Sequence, residues 1–168
     1  MLTIRKGTSA DLKEIWTLVQ AAIAHMNAGG NPQWGPDYPG MTHFAQGIAD
    51  GDLYAACSED GRILGVAILN TWQEECYEDL TGWQQTPPAL VIHKVAVHPD
   101  AQRQGVGSFL FDFAVSLAKE QGLKSIRIDT YCLNGKMQAL IRKFGFHYMG
   151  NVHFPARPLA YRVYEKVL

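Results

Sequence analysis

The chain has 168 residues, of which 47% are hydrophobic and 18% are charged, and its formal net charge is −1. This length predicts a single domain over residues 1–168 that can bury a core without disulfides or structural metals. A net charge near zero argues against the strongly basic surface that is typical of proteins that bind nucleic acid or anionic membranes.

The three cysteines, Cys57, Cys76 and Cys132, are widely spaced and form no C-x-x-C pair. Their odd number predicts reduced thiols rather than disulfides or zinc ligands. No apolar run approaches the roughly 20 residues that span a bilayer, and the N-terminal stretch lacks the apolar core of a signal peptide. We therefore expect a cytoplasmic protein with no bound metal and with neither nucleic acid nor a membrane as partner.

The first elements are a strand and a helix. Residues 2–6 alternate apolar and polar side chains, which predicts a short strand, and Thr8 to Asp11 have the form of a capping box. The apolar residues that follow are spaced to cover a broad helical face, and Asn27-Ala28-Gly29-Gly30 ends the pattern. We expect a well-buried first helix.

Residues 27–43 contain four glycines and three prolines, a composition typical of an irregular segment. Trp34 and Tyr38 are costly to leave in water, so this segment should pack against other parts of the chain. Two interpretations stay open: the rings cover the core, or they form one wall of a substrate pocket.

A short helix over residues 43–49 should precede a hairpin with strands at 52–58 and 62–70. An 18-residue insertion, residues 71–88, then interleaves acidic and aromatic side chains. Such a charge cluster is typical of a solvated face, but acids beside rings would also attract a cationic amine. Trp72 is our candidate substrate contact among its acidic and aromatic residues, which are Trp72, Glu74, Glu75, Tyr77, Glu78, Asp79 and Trp83.

A mostly apolar run over residues 89–97 predicts a largely buried strand, and helical spacing of apolar residues begins at Val106 and stops at Gly122. The sequence QRQGVGS, residues 102–108, connects the two. Gly105 and Gly107 would let a bulky anion approach the main chain, where the helix-start N–H groups and dipole bind it with help from Arg103. A diphosphate would suit such a site, and a tight turn without a ligand is the alternative.

Two known phosphate-binding loops do not fit this stretch. A nucleotide P-loop has Lys and then Ser or Thr after its last glycine, whereas Ser108 and Phe109 follow Gly107. The dinucleotide-binding motif has a third glycine, and Phe109 and Leu110 occupy its place.

The stretch does resemble the acetyl-coenzyme A motif of the GNAT superfamily of N-acetyltransferases, in which a V-x-V strand end precedes Q/R-x-x-G-x-G/A and a helix. Val95, Val97, Gln102, Gly105 and Gly107 match that motif in order and spacing. The resemblance implies acetyl-CoA as the acyl donor, bound by Val95, Ala96, Val97, Gln102, Arg103, Gln104, Gly105, Val106, Gly107 and Ser108.

Beyond this motif, the pattern predicts a strand at 125–130, a helix at 135–144 closed by Gly145-Phe146, and strands near 148–154 and 161–167. The order β α (α) β β β α β α β β indicates an α/β (α+β) fold: a mixed, mostly antiparallel sheet of about six to seven strands flanked by helices. This order resembles the GNAT fold across essentially the whole chain, and the strand-Asn-helix-Gly-Phe block resembles a second recurring element of the superfamily.

The resemblance implies transfer of an acetyl group to a primary amine by direct attack on the thioester. The main chain of Val95 and Val97 would stabilise the oxyanion, and Asn134 would bond the pantetheine arm or the loop backbone. The family often places a proton-donating Tyr where this chain has Ile141, so that role does not carry over. We expect Tyr131 as the acid and, by strand alternation from Val95, His93 as the base.

The acceptor is the least constrained feature of the sequence. A small-molecule amine is the preferred interpretation; a protein or peptide amine, or an acyl-CoA-binding module without catalysis, stays an alternative. The apolar C-terminal strands could also pair across a homodimer.

Overall fold

The computed structural model describes all residues, 1–168. Its helices are α1 (Leu12–Ala28), α2 (Met41–Ala49), α3 (Val106–Glu120) and α4 (Gly135–Lys143); its strands are β1 (Thr3–Lys6), β2 (Leu53–Cys57), β3 (Ile63–Asn70), β4 (Leu90–Val97), β5 (Ser125–Tyr131), β6 (His147–Val152) and β7 (Tyr161–Val167). The strands form one sheet in the order β1-β2-β3-β4-β5-β7-β6. The predicted α+β fold with a mostly antiparallel sheet flanked by helices is confirmed, and β4 and β5 form its parallel pair.

Main-chain contacts divide the chain into two compact units, the first made of residues 1–69 and 93–113 and the second of residues 70–92 and 114–168. β4 contributes to both units, because the division falls after Ile92. No helix is long and apolar enough to cross a membrane.

In the first unit, β1, β2 and β3 pair antiparallel, with Ile4 opposite Ala56 and Ala55 opposite Val66. The capping box is present at the helix start, where the Thr8 N–H donates to Asp11 Oδ2 at 2.7 Å. α1 buries positions at i, i+3 and i+4, as its pattern predicts. The core of this unit contains Ile15, Leu18, Val19, Trp34, Phe44, Leu53, Ala55, Cys57, Ile63, Val66, Ile68 and Ala96.

In the second unit, β7 pairs antiparallel with both β5 and β6, and Leu90 of β4 lies opposite Ile126 of β5. The sequence of β5 alternates apolar and polar side chains, yet its Arg127 is 0% exposed and pairs with the equally buried Glu165 of β7. The core of the second unit contains Tyr77, Val91, Tyr131, Val152, Tyr161 and Val163.

Candidate active site

The segment between β4 and α3 is fixed at its start by one hydrogen bond to β3 and by several local contacts. The His98 N–H donates to the Leu64 carbonyl at 2.8 Å, and His98 Nδ1 accepts from the Asp100 N–H at 3.1 Å. Gln102 Nε2 donates to the Val97 carbonyl at 3.4 Å, and Ala101 is buried. These contacts tie the end of β4 to the turn that follows it.

The turn itself is shaped by its main chain. Arg103 and Gly105 have φ of 65° and 78°, in the left-handed region that a glycine adopts without strain. The first main-chain bond of α3 runs from the Phe109 N–H to the Gly105 carbonyl at 2.9 Å. The N–H groups of Val106 and Gly107 therefore precede the helical ladder and have no acceptor within α3.

This turn has the features of an anion-binding site. A left-handed turn at a helix start aims successive N–H groups outward, and the dipole of α3 adds a partial positive charge. A Cβ added at Gly105 would meet no atom within 4 Å, so the space above the turn is open. Gln104 and Arg103 are exposed. The residues present therefore fit a diphosphate group.

Gly65 of β3 positions this helix start, and sequence reasoning missed it. A Cβ at Gly65 would lie 2.7 Å from Val106 Cγ1 and 3.2 Å from the Ala96 carbonyl oxygen, so only glycine lets Val106 pack there. The available signal was a glycine inside an apolar strand, which often marks a close approach of another chain segment.

The middle of β4 is irregular. Lys94 has φ of 49°, a left-handed conformation that interrupts the alternation of side chains along the strand. Val91 and Ile92 are buried, whereas His93, Lys94 and Val95 are all half-buried. The expectation that His93 shares a face with Val95 assumed regular alternation, which the left-handed Lys94 between them interrupts, so the shared face stays a prediction. A catalytic role for His93 stays a prediction.

The segment between α1 and α2 is ordered by hydrogen bonds and rings. Asn27 Nδ2 donates to the Trp34 carbonyl at 2.8 Å, and the Gly35 N–H donates to the Tyr38 carbonyl at 2.8 Å. Trp34 is 6% exposed and belongs to the core of the first unit, whereas Tyr38 is half-buried. The covering role is therefore observed for Trp34, and substrate contact stays a prediction for both rings.

Tyr131 and Asn134 lie at the end of β5 and the start of α4 in the second unit. The Tyr131 hydroxyl is buried and accepts from the Leu159 N–H at 3.2 Å. Asn134 Oδ1 accepts from the Met137 N–H at 3.1 Å, which makes Asn134 the N-cap of α4. Ile141, at the position where the family often has Tyr, is 0% exposed in α4.

The insertion at residues 71–88 is more ordered than its sequence indicates, because it contains a 3-10 helix over Glu75–Asp79. The Tyr77 hydroxyl donates to Asp129 Oδ2 at 2.5 Å, and burial together with this carboxylate raises the pKa of Tyr77 well above its usual value. Trp83 lies over the Arg127 guanidinium at 3.7 Å. Tyr77 and Trp83 are therefore structural, whereas Trp72 is 60% exposed.

The candidate residues are divided between the units. The first unit contains His93, Val95, Ala96, Val97, residues 102–108, Trp34 and Tyr38; the second contains Tyr131, Asn134 and Trp72. All three cysteines are free, and no group of three or more His, Cys, Asp or Glu side chains is arranged to hold a metal ion.

Comparisons of the sequence and of the structure with known proteins both identify acetyltransferases of the GNAT family. The model of the acetyltransferase (GNAT) family matches residues 17–146, whereas no curated protein matches the chain. A GNAT-family acetyltransferase from Streptococcus agalactiae 2603 has a TM-score of 0.85 at 23% identity, with 99% of this chain and 95% of that chain covered.

Two further solved structures cover nearly all of the chain. A proposed acetyltransferase from Staphylococcus aureus Mu50 is 30% identical, with a TM-score of 0.76 and 98% of each chain covered. A proposed acetyltransferase from Salmonella typhimurium, solved with its cofactor acetyl-CoA, is 18% identical, with a TM-score of 0.70, 99% of this chain and 93% of that chain covered.

Proposed function

Because the chain belongs to the acetyltransferase (GNAT) family, we propose that it transfers an acetyl group from acetyl-CoA to a primary amine of a small molecule. The observation that carries this proposal is the turn at residues 102–107, with its left-handed Arg103 and Gly105 and its N–H groups at the start of α3. The Salmonella typhimurium structure, which contains acetyl-CoA, supports the choice of acyl donor.

In this proposal, the turn binds the diphosphate of acetyl-CoA through the N–H groups of Val106 and Gly107. The dipole of α3 favours the negative charge, and Arg103, which is exposed, can add a mobile cation. Asn134 remains the predicted contact for the pantetheine arm, although its side chain already caps α4.

The chemistry requires a neutral amine. An alkyl amine with a pKa of about 10 is almost wholly protonated at pH 7, so a base must accept its proton before nitrogen attacks the thioester carbonyl. We assign this role to His93. The new C–N bond forms first and moves the carbonyl π electrons onto oxygen; when the carbonyl re-forms, the C–S bond breaks and the departing thiolate takes a proton from Tyr131. Main-chain N–H groups at Val95 or Val97 would stabilise the oxyanion.

One observation favours a second candidate, an acyl-CoA-binding module without catalysis. The family often has a proton-donating Tyr at the position of Ile141, and this side chain is fully buried in α4. Against this, a thiol of pKa about 8.5 is a tolerable leaving group, so loss of the acid alone does not abolish transfer.

The test is thiol release from acetyl-CoA in the presence of a panel of amines: amino acids, amino-acid amides, polyamines, aminoglycosides and short peptides. We expect amine-dependent release with a small-molecule amine. His93→Ala should lower kcat roughly 10²- to 10⁴-fold at pH 7, with partial recovery at higher pH, where more of the amine is neutral. Tyr131→Phe should have a smaller effect. Acetyl-CoA binding without release for any amine would favour the binding module, and peptide-only release would favour a protein acceptor.

A further inference from the structure

Lys94 occupies an unusual position for a lysine. It lies in the middle of β4 with φ of 49°, a conformation that is uncommon for residues other than glycine and that clusters at functional sites. The side chain is half-buried and directly precedes Val95, which we propose as an oxyanion contact. The residue next to this predicted oxyanion contact therefore carries a long cationic side chain.

The Lys94 ammonium is held by a ring and by no carboxylate. Its Nζ lies 5.3 Å from the centroid of the Tyr38 ring, and none of the ion pairs of the structure includes it. Arg5 and Arg62 of the same unit, by contrast, each pair with an aspartate. A ring face compensates a partly desolvated cation only in part, so this ammonium would gain from an anionic partner.

Tyr38, whose ring the Lys94 ammonium faces, is itself anchored by its neighbours. Its carbonyl accepts from the Gly35 N–H, and its ring contacts the His43 ring edge-on at 5.0 Å. His43 is itself anchored, because its Nδ1 accepts a hydrogen bond from the Gly40 N–H at 2.9 Å. An anchored ring limits the positions of an ammonium that stays on its face, which lowers the entropy cost of binding a ligand there.

We propose that Lys94 binds a carboxylate of the acceptor, so that the acceptor is an amino acid or another small amine that carries a carboxylate. This inference rests on the proposed function and names its substrate class. It differs from the sequence-based alternative that the acids of residues 71–88 attract a cationic amine. Glu75, Glu78 and Asp79 are exposed, as on a solvated face, so they make the weaker case.

The experiment compares each amino acid with its own carboxamide in the thiol-release assay. The pair differs in the carboxylate alone, and the amide is the weaker base, so its larger neutral fraction works against the predicted preference. For the preferred amino acid we expect kcat/KM to exceed that of its amide by roughly tenfold to hundredfold, the range of a charge-assisted hydrogen bond. Lys94→Met should reduce this ratio to one or below, and Lys94→Arg should retain most of it.

Two controls keep the result interpretable. Lys13→Met makes the same chemical change at an exposed position of α1 in the same unit and should leave the ratio unchanged. Lys94→Asn removes the charge with a residue that tolerates the left-handed conformation, so it should lower the ratio even if Lys94→Met folds poorly.

The outcomes separate this inference from the function on which it rests. Release with polyamines or amides at rates equal to those of amino acids, or a ratio that Lys94→Met leaves intact, would overturn the carboxylate site while the acetyltransferase proposal stood. Absence of thiol release with every amine in the panel would overturn both.

Discussion

Two irregular segments of the molecule, the turn at residues 98–108 and the insertion at residues 71–88, obtain their shape in different ways. Apart from the His98 N–H, which donates to the Leu64 carbonyl, the turn uses local contacts: left-handed Arg103 and Gly105, and hydrogen bonds between residues two to five positions apart. The insertion uses side chains from β5 and β7. Arg127 donates to Gln73 Oε1 at 2.9 Å and to the Gln85 carbonyl at 2.7 Å.

This difference decides how much of each segment the sequence reveals. Glycines and a helix start at fixed spacing define the turn, so a motif can identify it. The insertion depends on partners far along the chain; its Gln84 N–H donates to Glu165 Oε1, 81 residues away, at 2.7 Å. The local composition of residues 71–88 does not indicate those partners. From the sequence alone, the acidic and aromatic residues of the insertion therefore favour a functional interpretation.

The largest effect should come from breaking the buried ion pair behind the insertion. Arg127→Met would leave Glu165, which is 1% exposed, as a buried charge without its cation. We expect the free energy of unfolding to fall by about 3–5 kcal/mol, measured by urea denaturation. The insertion should also become more susceptible to proteolysis, because the guanidinium is the partner of Gln73, Gln85 and the Trp83 ring.

Arg162→Met on β7 is the matched control, because Arg162 is exposed, forms no ion pair and has its guanidinium over the Tyr148 ring at 5.7 Å. It should cost less than about 1 kcal/mol. Equal losses for the two variants would contradict the anchoring of the insertion by Arg127.

A smaller effect should follow from Tyr77→Phe. The variant removes the hydroxyl that donates to Asp129 in a buried environment and should lower the free energy of unfolding by about 2 kcal/mol. Tyr148→Phe, which removes an exposed hydroxyl bonded to Asn151 at 2.7 Å, should change it by less than about 0.5 kcal/mol. If the two substitutions had the same effect in urea denaturation, the Tyr77 contact would not anchor the insertion.

The smallest effect on the free energy of unfolding should come from removing the ion pair between Arg5 and Asp11, which are close in sequence and 2.7 Å apart. The Arg5 guanidinium lowers the pKa of Asp11 from 3.8 to about 2. Because this pKa is lower in the folded chain, the contact stabilises fully above pH 4, and the stabilisation is lost as the pH falls toward 2. Arg5 is 44% exposed, so we expect only about 1 kcal/mol.

Urea denaturation at pH 2–6 measures this effect. The stability difference between the wild type and Asp11→Asn should be constant above pH 4 and shrink below it, and Arg5→Met should behave likewise. A difference that is the same at pH 2 and pH 6 would argue against the assigned pKa.

The sequence predicts the arrangement of elements well, because apolar periodicity and glycine positions are local properties. The strand at 161–167, the helix start at Val106 and the capping box at Thr8 are all observed. Two features could not be predicted: the burial of Arg127 depends on Glu165, and the left-handed Lys94 carries no glycine signal. A glycine inside an apolar strand did indicate a close approach at Gly65, but its partner Val106 lies 41 positions further along the chain and has no local signal.

The most direct test is calorimetric titration of acetyl-CoA into the wild type, Gly105→Glu and Gly61→Glu. Both glycines have positive φ, 78° and 87°, and open space at Cβ, so the two variants carry the same backbone strain. Only Gly105 directly precedes the free N–H groups at the start of α3. A glutamate side chain introduced there would repel the negatively charged diphosphate. We predict that Gly105→Glu weakens binding at least a hundredfold and that Gly61→Glu binds like the wild type. Equal affinity in all three proteins would mean that residues 102–108 form only a turn.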